Sequence, residues 1–330
     1  MSGSTPSTGP EGAAKPQQRL IHVAAGALLD DRGRVLVAQR PAGVHQGGLW
    51  EFPGGKLEPG EPAHRALARE LREELGIEVR AARPLIRVHH DYGDRHVLLE
   101  VFLVTAFTGT PQGLEGQPLD WVAPQAMDAA RFPAADKPII DALRLPARYL
   151  ITGADPQDPD QFLRRLRDSL RAGIGLVQLR AHGLDDTAYA RLARAALPLC
   201  RAAGAGLVLN RDPTAGAGIA ADGLHLRAAT LWQLTARPAG VGLVGASCHD
   251  AADLRRAAEL GLDYALLGPV LPTATHPGAQ TLGWSGFAAL ADPARVPVYA
   301  LGGLGEAHLT LSFAHGAQGV AAISGFWRGS

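Results

Sequence analysis

The residues best equipped for chemistry lie between Gly54 and Ile77, in the run GGKLEPGEPAHRALARELREELGI. Gly55 is followed after five residues by Glu61, and after seven more by Arg69-Glu70-Leu71-Arg72-Glu73-Glu74-Leu75-Gly76-Ile77. Ala66, Leu67, Leu71 and Leu75 recur at helical spacing, which predicts an amphipathic helix with Pro62 in its first turn and Gly76 just past its end. On that helix Glu70, Glu73 and Glu74 stand at i, i+3 and i+4 and project from one neighbouring face. Carboxylates that close repel one another unless a positive charge lies between them, and a hard divalent cation with oxygen ligands supplies one. The Gly54-Gly55 loop lets backbone approach the same metal and a phosphate. A bare glutamate pair would read as a solvated acidic face salted with Arg69 and Arg72. Here the loop glycine, the early glutamate, the Arg-Glu pair, the double glutamate and the closing Gly-apolar pair all fall in register.

The elements that must position this run are legible around it. A chain of 330 residues is long enough for two domains. Zero net charge argues against a nucleic-acid polymer or an anionic membrane as main partner. The two cysteines, Cys200 and Cys248, lie far apart without metal-ligand spacing, which fits a reducing, cytoplasmic setting. No apolar run reaches membrane-spanning length, and the N-terminus lacks an apolar signal core. Residues 1–18, rich in Ser, Gly, Pro and Gln, predict a disordered tail. Strands are expected at Leu20–Leu29 and Arg34–Arg40 around an Asp30–Gly33 turn, then near Glu78–His90 and His96–Thr108 after the helix. A Gly/Pro-rich loop at Gly109–Pro118, a short strand at Asp120–Val122 and a helix at Lys137–Leu143 complete a first domain over 19–146.

The run matches G-x5-E-x7-R-E-U-x-E-E-x-G-U, with U apolar, which is the Nudix box; the chain is identified as a member of the Nudix hydrolases. Residues 20–145 further resemble the MutT type, which removes 8-oxo-dGTP from the nucleotide pool. The segments that carry this are Trp50–Lys56, Asp94-Arg95-His96, Leu114–Pro118 and Phe132–Pro138, in the same order and spacing. The resemblance implies an α/β/α sandwich. It implies Mg²⁺, with Mn²⁺ as the alternative, held by Gly55, Glu70, Glu73, Glu74 and Glu115. It puts Arg40 near the phosphates of a nucleoside triphosphate and Phe52, Arg95 and Asp136 around its base. It also implies hydrolysis of 8-oxo-dGTP to 8-oxo-dGMP and diphosphate.

The residue chemistry agrees with these roles. An aromatic ring can stack on a purine, and an arginine can pair with phosphate oxygens. Glu115 sits on a Gly-flanked loop, where it could complete the metal shell, take a proton from water, or be an ordinary surface carboxylate. Glu70 is the other candidate base. His45, His89, His90 and His96 show no demanding spacing and read as structural or loop residues. One departure stands out: Asp136 replaces the asparagine of the best-known MutT. An amide donates and accepts, whereas an ionised carboxylate only accepts, so contact to the O6 of 8-oxoguanine would need a protonated acid or another donor.

From Arg148 the pattern alternates strand and helix. Strands are expected at Arg148–Thr152, Gly175–Leu179, Gly206–Asn210, Gly223–Leu226, Val241–Ser247, Tyr264–Gly268, Val298–Leu301 and Gly319–Ser324. Such units predict a (β/α)₈ TIM barrel over 147–330, short for its class, with function at the C-terminal strand ends. Val177–Arg180, Leu209-Asn210, Asp222–Leu226, Gly245–His249, Asp263-Tyr264, Gly268–Thr275 and Ala300–Leu304 resemble thiamine-phosphate synthase and its TenI relatives. Gly302-Gly303 and Ser324-Gly325 suit a phosphate held by backbone amides, and Gln178, Arg180, Asn210 and Ser247 a heterocycle or diphosphate.

Other features that the resemblance implies are missing. The synthase Asn-Asp is Asn210-Arg211, and its Gly-Gln-x-Asp is Arg227-Ala228-Ala229-Thr230. Those acids hold Mg²⁺ on the departing diphosphate, which otherwise loses its counter-charge. His182 and His276 replace two lysines, Pro269 falls where TenI tautomerases carry a catalytic histidine, and Asp212 stands one residue late. The expectation is a barrel that keeps a pocket for a thiamine-related phosphate without synthase chemistry, either as an inert remnant or as a ligand sensor or scaffold. The alternative is a thiamine-metabolism protein whose barrel is a transferase and whose Nudix half cleaves precursor diphosphates.

Overall fold

The computed structural model describes residues 20–44, 46–93, 95–153, 156, 158–212, 218–273 and 278–327. The predicted tail over 1–18, together with His45, Asp94, Thr275 and His276, lies outside the described residues.

The first half is built on β1 (Leu20–Leu28), β2 (Val35–Gln39), β3 (Trp50–Glu51), β4 (Gly54–Lys56), α1 (Ala63–Leu75), β5 (Glu78–Asp91), β6 (His96–Thr108), β7 (Leu119–Val122) and α2 (Lys137–Arg144). One sheet has the order β4-β1-β6-β5 and a second the order β3-β2-β7. Strand pleating sends alternate residues of β1 to opposite faces. Ala24 and Leu28 join Leu67, Leu71 and Leu75 of α1 in one core. Ala25 and Ala27 join Ile139 and Ile140 of α2 in another. The result is the expected α/β/α sandwich. The helix of the acidic run starts one residue later than expected, with Pro62 in extended backbone as its N-cap and Gly76 as its C-cap.

The second half closes into a parallel barrel of eight strands. In chain order its elements are β8 (Arg148–Ile151), α3 (Pro159–Leu170), β9 (Leu176–Leu179), α4 (Asp186–Ala202), β10 (Gly206–Leu209), β11 (Gly223–Leu226), α5 (Ala228–Gln233), β12 (Leu243–Cys248), α6 (Ala251–Glu259), β13 (Tyr264–Leu267), α7 (Gly283–Ala291), β14 (Val298–Leu301), α8 (Leu309–Ala314) and β15 (Gly319–Ala322). No helix joins β10 to β11 among the described residues. Both faces of each strand are covered, so strands such as LVQL and YALL are wholly buried. Leu, Val and Ala on their outer faces pack under the helices, while Tyr149, Tyr264 and Tyr299 meet inside the barrel.

The two halves meet at the N-terminal end of the barrel. Gln318, just before β15, is buried and donates through Nε2 to the carbonyls of Ala142 and Leu145 at 3.0 and 2.9 Å. These carbonyls belong to the end of α2, where a helix leaves acceptors without intrahelical donors. Tyr299 donates its hydroxyl to the Pro146 carbonyl at 2.6 Å. At the side, Arg87 of β5 pairs with Asp292 just after α7 at 2.9 Å.

Candidate active site and a second pocket

The glycine loop is fixed by β1. Ala24 and Ala25 pair with Gly55 and Gly54, and Gly26 donates its N–H to the Pro53 carbonyl. α1 then crosses so closely that a Cβ on Gly55 would overlap the Glu70 carboxyl, which explains glycine at this position. Glu74 accepts from the Gly54 N–H at 3.2 Å. The loop bearing Glu115 arrives by capping the same helix. Gln112 N–H donates to the Leu75 carbonyl, and Leu114 N–H and Gln117 Nε2 donate to the Glu74 carbonyl. Glu70 and Glu115 are thereby brought close enough to Glu74 for their charges to act on it, beside the Gly54-Gly55 backbone.

Arg69 supplies the counter-charge inside this cluster. It donates to Glu61 through Nε and Nη2 at 3.1 and 2.9 Å, to Glu70 at 2.9 Å and to the exposed Glu73 at 3.3 Å. Burial, reinforced by the charges of Glu70 and Glu115, pushes the Glu74 carboxyl up to about 7, against the opposing pull of the Gly54 N–H. Among the described residues no three acids, histidines or cysteines are closed into a finished metal cage. The donor set nevertheless fits a hard divalent cation. It is all oxygen, it adjoins a glycine backbone, and Arg69 pairs with Glu61, Glu70 and Glu73 but leaves the like charges of Glu70 and Glu115 acting on Glu74, where a cation would oppose them.

Beside the loop lies a pocket lined by Arg40, Glu51, Phe52, Tyr92, Arg95 and Asp136, together with Gly54 and Gly55. It therefore brings all four predicted substrate residues to the glycine loop. Phe52 is buried and stacks on Phe132, with ring centroids 5.8 Å apart. Arg40 forms an ion pair with Glu51 rather than standing alone in the pocket. Asp136 occupies the N-cap position of α2 but makes no capping hydrogen bond with its side chain. Burial, helped by the charge of Glu51 and opposed by Arg40, pushes its carboxyl up to about 8. This shift favours the protonated form at neutral pH, which can donate as well as accept. Sequence reasoning does not single out Glu51 and Tyr92. Their signal is proximity, since Glu51 precedes Phe52 and Tyr92 lies in the turn leading to Arg95.

The barrel has its own cavity of about 380 Å³ at the C-terminal strand ends. Gln178, Arg180, Asn210, Ser247, Gly303 and Ser324 all line it, as does Pro269. Two of its lining residues, Gln178 and Ser247, join a buried polar chain inside the barrel. Gln178 Nε2 donates to the Tyr149 hydroxyl at 3.1 Å, which lies 2.9 Å from that of Tyr264. His225 contacts the Tyr264 hydroxyl at 3.3 Å and Ser247 Oγ at 3.0 Å. Burial pushes the His225 imidazole down to about 3, so it is neutral.

The sequence model of the NUDIX domain matches residues 24–142, and that of thiamine monophosphate synthase matches residues 148–326. An 8-oxo-dGTP diphosphatase of Proteus vulgaris is 51% identical over 88 residues, 27% of this chain and 79% of that protein. The chain belongs to the Nudix family in its first half and to the thiamine monophosphate synthase family in its second. A CTP pyrophosphohydrolase of Escherichia coli is 42% identical to the Nudix half, over 38% of this chain and 91% of that protein. A thiamine-phosphate synthase of Herpetosiphon aurantiacus is 37% identical to the barrel half, over 47% of this chain and 76% of that protein. The Nudix half is thus a hydrolase domain of the class that acts on acid anhydrides, a family that works with a divalent metal on small nucleotides. No helix among the described residues is long and apolar enough to cross a membrane.

Proposed function

We propose that the Nudix half hydrolyses 8-oxo-dGTP to 8-oxo-dGMP and diphosphate with Mg²⁺, so that the oxidised nucleotide is removed before it reaches DNA. The observation that carries this reading is the buried Asp136 in the pocket beside the glycine loop, where burial favours the protonated carboxyl. In that state it offers the donor and acceptor pair of an amide, which suits the O6 and N7–H edge of 8-oxoguanine, where guanine presents a bare N7 acceptor instead. Phe52, Arg95 and Arg40 line the same pocket and give the base a partly apolar seat with positive charge toward the phosphates.

Glu70, Glu73, Glu74 and Glu115, with the backbone of Gly55, would hold the cation. When bound, a divalent ion neutralises phosphate charge and lowers the pKa of water. The rest is positioning by the chain. Arg69 holds Glu61 and Glu70 in place, and the Glu115 loop is anchored to the end of α1. Glu70 or Glu115 accepts the proton of the attacking water. Attack at the β-phosphorus breaks the bond to the α-phosphate bridging oxygen and releases monophosphate and diphosphate.

The likeness to a CTP pyrophosphohydrolase favours a second reading, in which a cytidine base occupies the pocket. Comparing kcat/KM for 8-oxo-dGTP, dGTP and CTP separates the two, because a pocket built for cytidine would place CTP first.

We further read the barrel as a phosphate-ligand pocket that has left synthase chemistry behind. Arg211 and Thr230 stand where the synthase acids are expected, and Pro269 lines the cavity where a proton-moving histidine is expected. The barrel meets the Nudix half at its N-terminal end and opens at the other, which disfavours direct hand-over of a thiamine precursor between the sites. Failure of the full chain to replace a thiamine-phosphate synthase in a strain lacking one is the expected result.

A further inference from the structure

The synthase family implies a divalent cation at the barrel mouth, and the donor set of this chain does not fit one. Among the described residues that line the cavity there is no aspartate or glutamate, whereas Arg180, Arg227, His182 and His249 all contribute. The adjoining recess does contain two acids, Asp186 and Asp212, but each faces a guanidinium. Asp212 lies 3.4 Å from Arg227 and accepts from Thr230 Oγ1 at 3.1 Å. Asp186 lies 4.0 Å from Arg211 Nε. Arg211 is itself locked in place. It donates to the carbonyls of Ala181 and Leu184 at 3.1 and 2.5 Å, and its guanidinium lies 4.2 Å from the centre of the Tyr189 ring. A divalent cation placed among these groups would meet fixed positive charge, with no carboxylate left unopposed.

We propose that the barrel mouth binds phosphate or diphosphate groups through arginines and backbone donors, without a divalent cation. This rests on reading the cavity as a phosphate pocket and adds how the charge is met. Arginine suits the task because its planar fork pairs with phosphate oxygens and its charge does not titrate away. The second part of the cradle is Gly302-Gly303 after the seventh strand, with φ of 102° and 68°. Side chains there would overlap Pro269 and the Leu271-Pro272 backbone, so the main chain itself forms the wall. Both glycines line the cavity at the strand ends where barrels hold phosphate. The same protein would then carry two phosphate sites of opposite logic: acids that need a cation in the Nudix half, and cations that need none in the barrel.

The test is calorimetric titration of the full chain with inorganic diphosphate, in excess EDTA and again in Mg²⁺. The EDTA arm reads the barrel without the metal on which the Nudix site depends. The expected result is binding in EDTA within about threefold of that in Mg²⁺, weakened about tenfold or more by Arg227→Ala or, separately, by Arg180→Ala. Arg227 is exposed, so its replacement leaves the fold intact if Arg180→Ala does not. Binding seen only with Mg²⁺, yet weakened by the same substitutions, would overturn metal independence and leave the phosphate pocket standing. Binding in EDTA that neither substitution changes, or no binding in either condition, would overturn the pocket reading and this proposal with it.

Discussion

Arg69 donates to Glu70 at 2.9 Å while clasping Glu61 with two further hydrogen bonds. The early glutamate of the run is thereby an anchor for the arginine rather than a member of the acid cluster at Gly55. A lysine keeps the charge but cannot reproduce this three-way grip. Arg69→Lys is expected to lower kcat/KM by about 10- to 100-fold, as for other residues that orient metal ligands. Steady-state kinetics at saturating Mg²⁺ checks this; an unchanged rate would mean that Arg69 has only a surface role.

Gly55→Ala is the sharper steric test. The added methyl collides with the Glu70 carboxyl, and misplacing that group by about 1 Å costs on the order of 10² in rate. The helix core does not depend on this contact, so thermal unfolding is expected to change little while activity collapses.

The Asp136 carboxyl gives a pH signature. Its folded pKa is raised to about 8 from an ordinary value of 3.8, so the folded state holds a proton that the unfolded state releases. Stability from this group is therefore full below about pH 4 and declines as pH rises toward 8. Asp136→Asn is expected to raise Tm most at pH 8 and above, with the gain shrinking on acidification. Selectivity should move in parallel: preference for 8-oxo-dGTP over dGTP declines above about pH 8 in the native protein and stays level in Asp136→Asn. Rate profiles with both substrates across that range check the second point.

At the junction, Gln318→Ala removes the donor to two carbonyls at the end of α2. The Ala142 carbonyl keeps the Leu145 N–H, so the cost comes mainly from the Leu145 carbonyl, about 1–3 kcal/mol for a buried acceptor left unpaired, which urea unfolding of the full chain would register.

Much of this was legible in the sequence because periodicity is local. The spacing of Leu67, Leu71 and Leu75 marks the helix, and the alternation after Arg148 marks all eight barrel strands to within a few residues. The short strands Trp50–Glu51 and Gly54–Lys56 were not legible, because pairing with β2 and β1 makes them, not propensity. The same limit applied to side-chain partners. Nothing in the spacing shows that Arg40 meets Glu51, or that Asp136 is buried enough to keep its proton. The barrel residues Gln178, Arg180, Asn210, Ser247, Gly303 and Ser324 could be named together because each lies at or within two residues of a strand's C-terminal end, and closure of the barrel brings strand ends to one mouth.

The measurement that bears most directly on the central claim is a product-release assay of the full chain with Mg²⁺ at sub-saturating 8-oxo-dGTP, dGTP, CTP and thiamine-pathway diphosphates. The expected kcat/KM for 8-oxo-dGTP is about a hundredfold or more above that for dGTP, about 2.7 kcal/mol in transition-state binding, with loss of activity in Glu73→Gln. A flat nucleotide profile with faster cleavage of CTP or of a thiamine precursor would contradict it.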